Sequence, residues 1–84
     1  MTKLEQKLVE LGYKALVGFD GALHFSKFPT KYTIIYFEVK NGKIIKYGWN
    51  LTGRTMPKYA SNMQKTVYQL QQDLEVLKKY ERLD

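Results

Sequence analysis

Few side chains in this sequence are able to move a proton. His24 is the single histidine, and Asp20 or Glu38 can orient it as a general base, the arrangement that proton transfer requires. It has neither a nucleophile nor a metal partner at a recognisable spacing, so a structural His24 is the plainer reading. The chain has no cysteine, which excludes a disulfide frame and a thiolate site, and one histidine does not build a zinc site alone. Gly18, Gly21, Gly42 and Gly48 stand singly, and no glycine-rich loop leads into a helix to cradle a phosphate. No catalytic, cofactor-binding or metal site is expected, and enzyme activity is not expected with them.

Binding chemistry is better represented. Tyr32, Ile34, Tyr36 and Ile44, with Lys46 beside them, form an aromatic and basic set of the kind a protein interface or a base-stacking platform uses. The alternative is that this set lies buried under the first hairpin or its loop. The net charge of +6 is concentrated in the middle of the chain. From Gly21 to Gln72 eight bases face one acid, Glu38, giving +7, while the two ends together carry six bases and seven acids, giving −1. Lys31, Lys40, Lys43, Arg54, Lys58 and Lys65 are therefore the candidate nucleic-acid contacts, since a local positive excess attracts polyanions or acidic protein surfaces. Only two of the fourteen bases are arginines, the side chain that reads phosphates and bases in bidentate fashion, and lysines also populate ordinary solvated edges.

The elements that position these residues are legible in part. Thr55 to Leu83 carries apolar residues at Met56, Ala60, Met63, Val67, Leu70, Leu74 and Leu77, in steps of four and three, which predicts one long helix with a continuous apolar seam. Pro57 fits only near its start, with Thr55 or Met56 as N-cap, and a second box at Ser61 and Gln64 offers a later start. At the other end Thr2 and Glu5 form a capping box for a helix beginning at residue 3. Leu4, Leu8 and Leu11 make its stripe, and Gly12 is its left-handed stop. Asp20-Gly21 signals a hairpin whose first arm, at residues 14–19, reads equally well as a loop, and Phe28-Pro29-Thr30 reads as a connection.

Tyr32–Val39 and Lys43–Thr52 are the firmest strands, joined at Asn41-Gly42. A two-residue turn would set Lys40 against Lys43 and Phe37 against Lys46. A three-residue loop with Gly42 as a bulge sets Val39 against Lys43, Phe37 against Ile45 and Ile35 against Tyr47, and is preferred because it avoids the like-charge pair. That register places Ile35, Phe37, Val39, Ile45, Tyr47, Trp49 and Leu51 on the core face, and Tyr32, Ile34, Tyr36, Glu38, Ile44, Lys46 and Asn50 on the outer face. The expected fold is one α+β domain over residues 1–84, a two-layer sandwich in the order α-β-β-β-α. A short helix precedes an antiparallel sheet of three strands, or four if the first hairpin forms, and the long helix packs on one face.

Val76, Tyr80 and Leu83 form a second apolar strip with no partner inside this fold, which makes them candidate contacts of a homodimer. There is no apolar run of membrane-spanning length and no apolar leader segment after Met1, so the expected location is the cytoplasm.

The two ends, MTKLEQKLVELGYK from Met1 to Lys14 and LQQDLEVLKKYERL from Leu70 to Leu83, resemble those of a group of small uncharacterised proteins encoded by phages and prophages of Gram-positive and gut bacteria. The resemblance covers about a third of the chain and departs from the group over Ala15 to Thr33. It carries no site residues. What it implies is a context, that of small accessory phage proteins that bind a host protein, including a defence nuclease, or regulate expression. The element order is also similar to that of the double-stranded RNA-binding domain, an analogy of topology that makes nucleic acid the alternative partner.

Overall fold

A computed structural model describes residues 1–53 and 60–81, the side chains of Phe19 and Ala60 excepted. Arg54, Thr55, Met56, Pro57, Lys58 and Leu83 lie outside the described residues, and with them the expected N-cap of the long helix. The elements are helix α1 (Lys3–Glu10), strand β1 (Lys14–Val17), a 3-10 turn (Phe19–Gly21), strands β2 (Leu23–Thr30), β3 (Thr33–Lys40) and β4 (Lys43–Leu51), and helix α2 (Ala60–Lys78). The strands form one antiparallel sheet in the order β1-β2-β3-β4. This is the expected α+β sandwich, with the first hairpin present as a full pair of strands.

Local chemistry accounts for α1. The Thr2 hydroxyl accepts from the Glu5 N–H at 3.2 Å, and the Thr2 N–H donates to the Glu5 carboxylate at 3.0 Å, so the capping box satisfies two amides that a helix start leaves open. At the other end Gly12 takes φ +96°. Its N–H donates to the Val9 carbonyl and that of Tyr13 to the Leu8 carbonyl, each at 3.0 Å, a Schellman stop.

The β3–β4 register differs from both sequence expectations. Asn41 (φ 55°) and Gly42 (φ 73°) form a two-residue turn with both central residues left-handed, the backbone that matches strand twist and that Asn-Gly adopts at least cost. Lys40 does oppose Lys43, but both are exposed, where water screens their repulsion to little. The phase is then corrected inside β4. Val39 pairs with Ile44, and Glu38 pairs with Lys46, so Ile45 is an extra, bulged residue. Beyond the bulge Phe37 faces Tyr47, Ile35 faces Trp49 and Thr33 faces Leu51.

A second bulge lies in β2. Phe28 and Pro29 are unpaired between Lys27, opposite Ile35, and Thr30, opposite Thr33. The expected connection is thus part of the strand, and Lys31 and Tyr32 make the turn instead. Proline is tolerated there because a bulge needs no ladder N–H from it.

Both helices cover the same face of the sheet. Leu4 and Leu8 of α1 and Leu70 and Leu77 of α2 close over Tyr13, Phe25, Ile35, Phe37 and Val39, with Leu11, Leu23, Ile44, Trp49, Leu74 and Tyr80 packed around them. Leu70, Leu74 and Leu77 keep the expected seam of α2, but Val67 is 37% exposed while Thr66 and Asp73 are buried. Those polar residues can face the sheet because each is hydrogen-bonded there. Thr66 Oγ1 lies 2.7 Å from Thr33 Oγ1 and donates to the Asn62 carbonyl, also at 2.7 Å.

Candidate functional site

The covered face holds one buried charged cluster, which no sequence signal singled out. Asp73 is 3% exposed. Its Oδ2 accepts from Lys27 Nζ at 2.7 Å and from the Tyr13 hydroxyl at 2.6 Å, and its Oδ1 accepts from Gln69 Nε2 at 2.9 Å. Lys27 Nζ also donates to the Leu11 carbonyl at 3.0 Å and lies 4.5 Å from the Tyr13 ring centre. Burial, and then the neighbouring carboxylate, push the Tyr13 hydroxyl far above its ordinary range. No buried side-chain nitrogen or oxygen among the described residues lacks a partner, and the cluster ties the end of α1, β2 and α2 together. Its members are 46 and 60 residues apart in sequence, which is why no spacing revealed it.

The opposite face of the sheet is arranged otherwise. Side chains alternate across a strand, so the pairings put Leu16, His24, Glu38 and Lys46 in one row across the four strands, Lys14, Ser26, Tyr36 and Gly48 in the next, and Ile34 beside Asn50 in a third. No described helix packs over these rows. The first hairpin does not bury them, because β1 and β2 extend the sheet in its own plane rather than folding across it.

Tyr36 is fixed flat on this surface by its neighbour. Its hydroxyl would stand 2.8 Å from a Cβ at Gly48, so the ring lies across the glycine of β4. On the other side His24 stacks beside it, ring centres 5.9 Å apart and planes within 13°. His24 and Glu38 are paired across β2 and β3, yet no hydrogen bond joins His24 to Glu38 or Asp20 among the described residues, and the histidine acts here as an aromatic tile. His24, Ile34, Tyr36, Glu38, Lys46 and Asn50 line one hollow. A second hollow, sharing His24 and Glu38, is bounded by Leu16, Lys40 and Ile45.

Of the expected partner-binding residues, Ile34, Tyr36 and Lys46 occupy this face together. Tyr32 sits at its end in the β2–β3 turn, with Lys31 Nζ 5.1 Å from its ring centre. Ile44 does not belong to the face. The bulge sends it to the core side opposite Val39 and leaves Ile45, 53% exposed, in its place. Leu16 and His24 were not expected there; the alternation of β1 and β2 about the Asp20-Gly21 turn carried that signal.

The expected nucleic-acid contacts are dispersed. Lys31 lies in the turn before β3 and the pair Lys40 and Lys43 at the far end of that strand, which is about 24 Å long at the usual rise per residue. Lys65 is exposed on α2, the helix of the other face. Of the expected dimer strip, Tyr80 packs against the core and has Lys7 Nζ 5.5 Å from its ring centre, while Val76 is half-buried.

No group of three or more metal-ligating side chains occurs among the described residues, and no described helix is long and apolar enough to cross a membrane. Comparisons with protein families, with curated proteins and with solved structures find no match.

Proposed function

We propose that this chain is a non-enzymatic binding protein that engages a partner protein through the outer face of its sheet. One observation carries the reading. Leu16, Ile34, Tyr36 and Ile45 stand on a sheet face that no described helix or strand packs over, with Lys14, Lys40, Lys43 and Lys46 around them and, among the described residues, no salt bridge to any of the four. Aromatic and aliphatic anchors ringed by unpaired charge are what a protein interface uses, and the sign of the ring calls for an acidic partner surface. The resemblance of the two ends supports a phage-type accessory role in the cytoplasm of a bacterial host, with a host factor as the partner and counter-defence or regulation as the consequence.

The test is affinity capture from a bacterial host lysate with three baits. Wild type and an α2 surface variant, Lys65→Glu, are expected to retain the same stoichiometric protein, and the double variant Tyr36→Ala, Lys46→Glu to lose it. Capture that survives the double variant would reject the outer face.

A second reading has its own support. The flat Tyr36–His24 pair beside Lys46 is also a platform on which bases of a single strand can stack. Salt separates the two: single-stranded binding should weaken with a log-log slope of about −0.7 for each phosphate neutralised. Absence of any shift of single-stranded RNA or DNA at low salt would dismiss it.

A further inference from the structure

We infer that the free edge of β4 pairs antiparallel with the β4 edge of a second copy of this chain. The backbone fixes which groups are free. The Thr52 N–H donates to the Tyr32 carbonyl across the β3 ladder, and because backbone groups alternate in direction along a strand, Tyr47, Trp49 and Leu51 turn their N–H and C=O groups away from β3. No described residue bonds to them. The same three residues point their side chains to the helical side, where β4 runs out past the cover of α2. Leu51 is 52% exposed and Tyr68, across the groove on α2, is 63% exposed. Trp49, Met63, Val67 and Tyr68 line that groove.

The two edges of the sheet are treated differently. β1 is only four residues long, one of the ways a protein blunts an edge. β4 has nine, and its turn end is closed: Ile45 bulges, and the Ile44 N–H is taken by Glu81 Oε2 at 3.0 Å. From Tyr47 to Leu51 neither device operates.

Charge selects the occupant. Tyr47, Trp49, Leu51, Met63, Val67 and Tyr68 carry none, in a chain of net charge +6, so an acidic protein or a nucleic acid finds no counter-charge on these six residues. A second copy brings an equally uncharged strip and an equally open edge. With Trp49 on the two-fold axis, Tyr47 of each copy meets Leu51 of the other, every outward N–H of the three finds a carbonyl, and the two grooves close over the joint. This surface is separate from the outer face, and its test is independent of the function proposed above.

The experiment is amide hydrogen exchange on the wild-type protein over a concentration series, read beside sedimentation velocity. The expected result is a species of twice 9.9 kDa in which exchange at Tyr47, Trp49 and Leu51 slows as concentration rises. Leu51→Lys and Tyr68→Lys, both at exposed positions, should sediment as folded chains of 9.9 kDa at concentrations where wild type is dimeric. Ile45→Lys, on the outer face, should remain dimeric. A wild-type chain that stays monomeric to high micromolar concentration would overturn the inference. So would a dimer in which those three amides stay unprotected, or edge protection that comes only from a different added protein.

Discussion

The two faces of the sheet use lysine in opposite ways. On the helical face Lys27 is tied to Asp73 at 2.7 Å and to the Leu11 carbonyl at 3.0 Å, and no buried side-chain nitrogen or oxygen among the described residues lacks a partner. On the outer face Lys46 opposes Glu38 in the ladder without closing a salt bridge, and Tyr36 and Ile34 are covered by no described helix or strand. A buried charge must be matched at once or it destabilises the fold, whereas an exposed one can wait for a partner. The buried centre of the covered face is therefore satisfied internally, and the open face is the one proposed for recognition.

The comparison breaks most easily at the buried pair. Asp73→Ala leaves the Lys27 ammonium uncompensated and should cost about 3–5 kcal/mol in denaturant unfolding. A cost of a few tenths would mean that the cluster is solvated and that the two faces do not differ in kind. A similar loss, about 3–5 kcal/mol, is expected for Phe37→Ala, which removes a ring 0% exposed from the middle of the core.

Tyr13→Phe has an intermediate effect. It removes one charge-assisted hydrogen bond and should cost about 1.5–3 kcal/mol at neutral pH. It should also change the alkaline limb of the stability curve. The hydroxyl is held above its ordinary value of 10.0 in the folded state, so above about pH 10 the unfolded chain loses a proton that the folded one keeps. The contribution is intact below that pH and is lost as pH rises past it, at up to about 1.4 kcal/mol per unit. Unfolding free energies of wild type and Tyr13→Phe across this range should converge; parallel curves would remove Tyr13 from the cluster.

The smallest effect on stability, about 1 kcal/mol or less, is expected for Tyr36→Ala, next in sequence to Phe37 but on the open face. It sharpens the contrast, because the residue that matters least to folding should matter most to binding. If Tyr36→Ala proves the more damaging of the two to stability, the faces are assigned the wrong way round.

What could be read from the sequence was what is decided locally. The capping box of Thr2 and Glu5 and the stop at Gly12 depend on residues within one turn of each other, and both formed as expected. The β3–β4 register did not, because it turned on a competition: the turn preference of Asn41-Gly42 outweighed the repulsion of Lys40 and Lys43, and a bulge at Ile45 absorbed the mismatch. That single residue exchanged the places of Ile44 and Ile45 between core and surface. Asp73 illustrates the other limit. On α2 it reads as part of a solvated face, and only Lys27 and Tyr13, brought to it by the sheet, make it part of the core.

The most direct test of the outer face as the recognition surface is hydroxyl-radical footprinting of the chain alone and in complex with its captured partner. Loss of oxidation at Tyr36, Ile34 and Leu16, with Lys65 and its neighbours on the exposed side of α2 unchanged, is the result expected. Protection confined to the helical side, with Tyr36 as reactive in the complex as out of it, would contradict the account.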